Sequence, residues 1–242
     1  MLDELLYSHV KFQPWGASHL AVLALSLALS IALVLFGRRF PALGAHAALT
    51  RSLGAFIIVS ELVFVLYPVY LGTFAANWGL PLQLCDITAL VTGFGLLTGH
   101  RFALEWGYFL GLSATLLTTF SPDLEHDFPH VEFWCFFLTH ALVSVAVLYS
   151  AFGLDRRPRP GAGFRVWAGV NLYGLAAIAI NLRLSSNYLY ICWKPGVHSP
   201  FDYLGPWPFY VLALNAILYA LVRGLAVLAE RAPCRALPAA PS

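Results

Sequence analysis

Charged side chains are scarce in this 242-residue chain, at 11% of the sequence, whereas an ordinary soluble domain carries about 25%. Hydrophobic residues make up 60% of the chain instead. The basic and acidic residues nearly balance, with a formal net charge of +2, and no basic face on a soluble module is apparent. This composition argues against nucleic acid as a partner.

Several functional motifs are missing as well. The chain has no glycine-rich nucleotide loop, which argues against an ATP-driven reaction. Its four cysteines match no zinc-binding spacing, and residues 207–228 contain no lysine that could form a retinal Schiff base. No internal repeat of the duplicated-transporter kind is visible. Because no basic stretch precedes the first apolar run, we expect a retained helix there rather than a signal peptide.

Long apolar stretches are the main feature that is present. A helix needs about 20 apolar residues to cross about 30 Å of hydrocarbon. Seven stretches meet this requirement: 17–36, 51–70, 81–98, 103–120, 132–152, 165–184 and 207–228. The sequence therefore predicts an all-α fold, a polytopic bundle of seven transmembrane helices in a single domain over residues 1–230. We expect the Pro/Ala-rich residues 231–242 to form a disordered cytoplasmic tail.

The distribution of lysine and arginine predicts the orientation of this bundle. Eleven basic residues fall on one side of the predicted spans and three on the other, which are Lys11, Arg183 and Lys194. Since cytoplasmic loops carry the excess of basic residues, we expect the N-terminus outside and the C-terminus in the cytoplasm. The expected location is the plasma membrane of a bacterium.

Two polar side chains inside the apolar stretches are candidates for chemistry. Cys85 lies near the outer end of the third predicted span, and His140 lies at a similar depth in the fifth, which runs in the same direction. An imidazole can take the proton of a thiol and so produce the nucleophilic thiolate. Asp86 or Glu61 could orient that imidazole as the third member of a triad.

The alternative interpretation of these residues is structural. A lone cysteine in a bundle is more often a small packed side chain, and a lone histidine is more often hydrogen-bonded to its neighbours. Glu61 would be costly near the middle of the bilayer, so it must be protonated, face the interior of the bundle or have a partner. Spacing alone therefore favours the structural interpretation.

The last outer connection is polar and long enough to be functional. Arg183 and Lys194 could bind a lipid phosphate, and Asn187 and Tyr188 could donate hydrogen bonds to a developing oxyanion. The connection 121–130 carries carboxylates and imidazoles, which are metal-ligand types, but an acidic outer loop is expected from the topology alone. We therefore predict no metal site and no cofactor.

Several short motifs, taken together, resemble the YwaF-like bacterial membrane proteins of the transmembrane-protein-164 family. The resemblance extends from the second to the seventh predicted span. It is carried by residues 80–86 (LPLQLCD), 121–124 (SPDL), 136–140 (FFLTH), 187–190 (NYLY), 194–195 (KP) and 204–208 (LGPWP). The chain departs from many relatives at Gln83, where they carry histidine.

The resemblance implies acyl transfer. Animal members are described as acyltransferases that act on phospholipids through a cysteine and a histidine, and these roles would fall on Cys85 and His140. We therefore expect a lipid acyltransferase that works without coenzyme A through an S-acyl cysteine, with phospholipid and lysophospholipid as partners. The alternatives are an intramembrane lipid hydrolase, a transporter or channel, or a purely structural subunit. The sequence leaves the oligomeric state open.

Overall fold

The computed structural model describes residues 10–196 and 200–232. Within these ranges the chain forms seven α-helical segments, and two short 3-10 helices, Tyr188–Tyr190 and Pro200–Leu204, lie in the last connection. The segments are α1 (Ala17–Arg39), α2 (Ala45–Tyr70), α3 (Leu84–Thr98), α4 (Arg101–Leu110, continued by the π-helical turn Gly111–Thr115 and by Leu116–Phe120), α5 (Val131–Leu148, continued by the π-helical turn Tyr149–Gly153), α6 (Ala162–Leu184) and α7 (Phe209–Arg231). Most of the predicted disordered tail, residues 233–242, lies outside the described residues.

The chain is a multi-pass membrane protein. Five of the segments, α1, α2, α5, α6 and α7, are long and apolar enough to cross a bilayer, and α3 is a shorter apolar helix. Large apolar side chains point away from the bundle, such as Leu25, Leu172 and Leu182, which are 69%, 71% and 78% exposed. A soluble protein rarely exposes a continuous apolar exterior of this kind, whereas lipid covers it favourably.

The segments begin and end within three residues of the predicted stretches, except that α2 begins at Ala45, six residues before its predicted start. The start of α3 has a clear local cause. Pro81 was expected in its first turn, but the helix begins at Leu84. Gln83 has an extended backbone, and its N–H donates to Asp86 Oδ2 at 2.9 Å. Because this bond closes the helix at its N-cap, Pro81 and Leu82 remain in the preceding turn.

Two ends of the bundle can be told apart by their connections. The connections 71–83, 121–130 and 185–208 lie at one end, which we call the long-loop end. The connections 40–44, 99–100 and 154–161 lie at the other, the short-loop end. Along the bundle α3 and α5 run away from the long-loop end, and α2 and α4 run towards it.

Helix α5 is the most buried of the five long apolar helices, since most of its side chains are buried, whereas α1, α2, α6 and α7 bury only a small share of theirs. It packs against α2 and α3 through a buried group that we call the three-helix cluster, formed by Ile57, Ala89, Leu96, Val143 and Ala146.

Helices α2 and α3 approach closely where Gly54 faces Gly93: a Cβ atom on Gly54 would lie 2.7 Å from the Gly93 carbonyl oxygen. Small residues permit such close approach of membrane helices.

Candidate active site

Three predicted polar residues lie at one level, next to the three-helix cluster. Cys85 precedes Ala89 by four residues, His140 precedes Val143 by three, and Glu61 follows Ile57 by four. Residues three or four apart in a helix lie on the same face, one turn from each other. All three polar residues are therefore one turn from the cluster, towards the long-loop end.

Cys85 is half-buried, and its thiol contacts helix α4. Its Sγ lies 3.6 Å from Thr118 Oγ1, while the Thr118 hydroxyl is 3.0 Å from the Ala114 carbonyl oxygen. Since a carbonyl can only accept, the Thr118 proton is committed to Ala114, and the thiol is the donor to Thr118. The resting cysteine is thus a thiol. Once the thiol has lost its proton, the Thr118 hydroxyl can rotate and donate its hydrogen bond to the thiolate.

His140 is buried, at 7% exposure, and its ring orientation is determined by its own helix. Nδ1 lies 2.7 Å from the Phe136 carbonyl oxygen and 3.0 Å from Thr139 Oγ1, and the Phe136 ring stacks on the imidazole at 4.2 Å. A carbonyl requires a donor, so Nδ1 carries the proton of the neutral ring and Nε2 carries the lone pair. Nε2 makes no hydrogen bond to any described residue and is available as a base.

No hydrogen bond joins Cys85 to His140, and the π-helical turn of α4 contacts the helices that carry both. Ser144 Oγ donates to the Gly111 carbonyl at 2.8 Å, which aligns α4 with α5. Thr115 lies one turn beyond Gly111 and His140 one turn before Ser144, so the two share the same depth. The Thr115 hydroxyl is buried, also interacts with the Cys85 thiol, and has no hydrogen-bond partner among the described residues within normal bonding distance.

The two carboxyl groups expected to orient His140 do not bond to it. Asp86 accepts from the Gln83 N–H, and Glu61, at 1% exposure, has an Oε1 atom without a hydrogen-bond partner in the described structure. Both carboxyl groups are close enough to Cys85 to interact with it electrostatically. The carbonyl of Phe136 therefore orients the imidazole, and the carboxyl groups line the surroundings of the thiol.

Asn187 and Tyr188 use their polar groups to organise the last connection. Asn187 Oδ1 accepts from the N–H groups of Cys192 and Trp193 at 3.1 and 3.2 Å. The buried Tyr188 hydroxyl donates to the Ala76 carbonyl at 2.8 Å and accepts from the Leu80 N–H at 3.0 Å, and both residues belong to the 71–83 connection. The Asn187 bonds thus fold the last connection onto itself, and the Tyr188 bonds tie it to the 71–83 connection.

The same connection reaches the start of α3 beside Cys85. The Leu189 N–H donates to Gln83 Oε1 at 2.9 Å, and the half-buried Tyr190 phenol interacts electrostatically with Cys85. Burial, with the nearby Asp123, raises the pKa of Tyr190. Leu189 and Tyr190 have φ angles of 62° and 52°, a left-handed conformation that costs non-glycine residues about 1–3 kcal/mol each. Such strain is typical of segments that hold a side chain at a functional site.

The two basic residues expected to bind a head group both lie at the long-loop end. Arg183 is exposed in the last turn of α6. Lys194 is half-buried, with Nζ 3.4 Å from the Asp202 carbonyl oxygen and 5.7 Å from the centre of the Tyr210 ring. Both ammonium and guanidinium groups can reach the surface at which lipid head groups lie.

Sequence reasoning missed Thr115, Thr118 and Tyr190 as neighbours of the thiol. A weak signal existed, since two hydroxyls three residues apart share one face of an apolar stretch. Threonine is common in membrane helices, where its hydroxyl bonds to the backbone of its own helix, so this signal could not be separated from that ordinary use.

Comparison with known proteins confirms the resemblance at the level of the transmembrane-protein-164 family. The sequence model of the TMEM164 family matches residues 14–226. An uncharacterised protein of Treponema pallidum (strain Nichols) is 28% identical over 185 residues, which cover 76% of each chain. No solved structure matches the chain.

Proposed function

We propose that the chain, which belongs to the TMEM164 family, is a membrane-embedded lipid acyltransferase with Cys85 as nucleophile and His140 as base. One observation carries the proposal. The half-buried Cys85 thiol rests on hydroxyl groups of α4, at the level where His140 keeps an unbonded Nε2. One layer of the bundle thus contains a weak nucleophile, groups that can stabilise its anion, and a proton acceptor.

The first half-reaction forms an acyl-enzyme. The Cys85 proton passes to His140 Nε2 by way of the Thr115 hydroxyl, which lies at the same depth. The thiolate then attacks the ester carbonyl of a phospholipid. The ester C–O bond breaks, and the leaving alkoxide takes the proton from the imidazolium. A lysophospholipid departs, and the acyl chain remains on sulfur as a thioester.

The second half-reaction returns the enzyme to its resting state. The hydroxyl of another lysophospholipid gives its proton to His140 and attacks the thioester carbonyl. The C–S bond breaks, and the thiolate regains the proton from the imidazolium. The cycle balances without coenzyme A, ATP or any other cofactor, and exclusion of water by the bundle protects the thioester from hydrolysis.

The remaining residues of the site have supporting roles in this proposal. Asp86 holds the start of α3 through its bond to Gln83, and Glu61 adds an unpaired polar group in the same layer. Asn187 and Tyr188 hold the last connection against α3, which keeps Tyr190 near the sulfur. Arg183 and Lys194 bind the phosphate of the lipid.

The arrangement in the membrane is part of the proposal. All seven helical segments cross the bilayer as one domain, with the N-terminus outside a bacterial plasma membrane. Segment α4 supports this because its three pieces form a continuous run from Arg101 to Phe120. Helix α3, at 15 residues, covers about 22 Å, and the turn before it completes the span. The active layer then faces the outer leaflet.

The direct test is mass mapping of the acyl-enzyme. The purified chain, in lipid nanodiscs, is incubated with a phospholipid that carries a labelled acyl chain and with an excess of lysophospholipid of a different head group. We expect the label on the Cys85 peptide and then on the second lipid. Cys85→Ala should abolish both signals, and His140→Gln should slow acylation by about 10²–10⁴-fold.

A matched control separates chemistry from folding. Cys135→Ala removes a buried thiol from α5 and should retain transfer. Full turnover by Cys85→Ala would overturn the proposal. Release of labelled fatty acid in place of the second lipid would assign the chain as a hydrolase, and ion or solute flux that survives Cys85→Ser, without acyl transfer, would assign it as a channel or transporter.

A further inference from the structure

We propose that His126, His130 and Glu132, at the long-loop end, bind a zinc ion. Each side chain offers one ligand atom, and the three ligand atoms lie within 4.8 Å of one another. The donor set of two imidazoles and one carboxylate is one that zinc uses in proteins, with a fourth position left for water. The site is separate from the acyl-transfer residues, since His130 precedes His140 by ten residues, about 15 Å along α5.

The distances between the ligand atoms suit one small ion. Glu132 Oε2 lies 2.7 Å from His126 Nδ1 and 3.9 Å from His130 Nδ1. Tetrahedral zinc, with bonds of about 2.0–2.2 Å, holds neighbouring ligand atoms about 3.3 Å apart. The two observed distances lie on either side of that value, and no separation in the set exceeds 4.8 Å, so side-chain shifts on the order of 1 Å bring the carboxylate oxygen and both nitrogens onto a common ion.

The protonation of His130 also suits a ligand. Its Nδ1 accepts from the Glu132 N–H at 3.2 Å, so this nitrogen carries the lone pair. Its Nε2 lies 3.2 Å from the Tyr67 hydroxyl. An ion would take this lone pair in place of the Glu132 N–H, while Nε2–H donates to the Tyr67 oxygen. A hydrogen bond on the distal nitrogen is the usual way in which proteins orient histidine ligands.

The two imidazoles are already held together. Their rings stack with centroids 4.2 Å apart, and His130 is buried, whereas His126 and Glu132 are half-buried and leave a route for an ion. Stacking restricts both rings before an ion binds, so little conformational entropy remains to be lost on binding.

The ion would join three parts of the chain. His126 belongs to a short antiparallel pairing in which the Phe12 N–H donates to the Glu125 carbonyl at 3.0 Å and the Asp127 N–H to the Val10 carbonyl at 2.8 Å. Glu132 begins α5, and His130 contacts Tyr67 at the end of α2. Zinc would therefore clamp the segment before α1 and the 121–130 connection onto the central helix.

The experiment uses the full chain, purified in detergent, stripped with a chelator and titrated with zinc or cobalt alone. We expect about one zinc per chain by elemental analysis, the visible absorption bands of tetrahedral cobalt, and a melting temperature that rises by several degrees with zinc. His126→Gln, in the loop, should lower the affinity by at least tenfold, in line with loss of a direct ligand. Glu132→Gln should do the same.

The control is Glu125→Gln, which removes a carboxylate from the same acidic connection without touching the three ligands. It should retain the zinc stoichiometry and the cobalt spectrum. Substoichiometric zinc without cobalt bands would overturn the proposal, as would an equal loss in Glu125→Gln, because metal would then be held only by general negative charge. Acyl transfer by chelator-treated protein distinguishes this site from the proposed active site.

Discussion

Hydroxyl groups lie beside the thiol of Cys85, although the sequence predicted only the His140 imidazole as its partner. Thr118 lies 3.6 Å from the sulfur, and Thr115 carries a buried hydroxyl without a partner in the described part of the chain. In the interior of a bundle, a hydroxyl can change from acceptor to donor by rotating one bond, whereas an ammonium or guanidinium must be desolvated permanently. The site thus has donors for a transient thiolate at little cost in the resting state.

Thr118→Val should slow thiolate chemistry without unfolding the protein. Valine keeps the shape and removes the donor, and a hydrogen bond to a charged group is worth about 1.5–3 kcal/mol, or roughly 10–100-fold in rate. The rate of Cys85 alkylation by iodoacetamide at fixed pH measures this effect. Thr118→Ser should retain the rate, and so should Thr98→Val, which removes a similar hydroxyl from the exposed end of α3. An unchanged alkylation rate in Thr118→Val would contradict the assignment.

At the scale of the helices, the position of the thiol depends on how closely α2 and α3 pack. A Cβ atom on Gly54 would meet the Gly93 carbonyl oxygen at 2.7 Å and the Leu96 Cβ at 2.8 Å. The first contact is with backbone, which cannot move without shifting the helix. The glycine pair therefore sets the spacing of the two helices, and with it the position of Cys85 relative to Glu61.

Gly54→Ala should destabilise the bundle by about 1–3 kcal/mol, the usual cost of overpacking a close contact. Gly224→Ala is the matched control, because nothing lies within 4 Å of a Cβ atom built on Gly224 in α7. It should change stability by no more than about 0.5 kcal/mol. Thermal unfolding of both variants in the same detergent makes the comparison. Equal melting temperatures would show that the α2–α3 contact tolerates a methyl group.

Helix boundaries could be predicted to within three residues, except for the start of α2, but the form of the helices could not be predicted. The π-helical turn Gly111–Thr115 gives no sequence signal, although it brings Thr115 to the level of His140. A π-helical turn changes the direction in which every following side chain projects from the helix axis. The side of α4 on which Thr118 lies therefore could not be predicted from a regular helical period.

For the whole molecule, the positive-inside rule makes the orientation testable. Asp123 at the long-loop end and Arg156 at the short-loop end are both exposed. In a background without native cysteines, Asp123→Cys should react with a membrane-impermeant maleimide on intact cells, and Arg156→Cys should react only after the membrane is opened. The opposite pattern would reverse the proposed orientation, and equal labelling would contradict a single orientation.

The sequence by itself determined that this is a membrane protein made of apolar helices. Each helix satisfies its own backbone hydrogen bonds, and its apolar side chains are stable in contact with lipid. It also singled out Cys85, His140 and Glu61, since polar groups stand out against an apolar background. Their partners were decided only by the tertiary structure. Thr118 reaches the sulfur from 33 positions away, the Phe136 carbonyl occupies the imidazole nitrogen that a carboxylate was expected to hold, and Glu132 turns two loop histidines into a metal-ligand set. The first contact depends on helix rotation and packing between distant segments. The other two join residues four and six positions apart and depend on side-chain rotamers and on the path of the 121–130 connection, which no periodic pattern encodes.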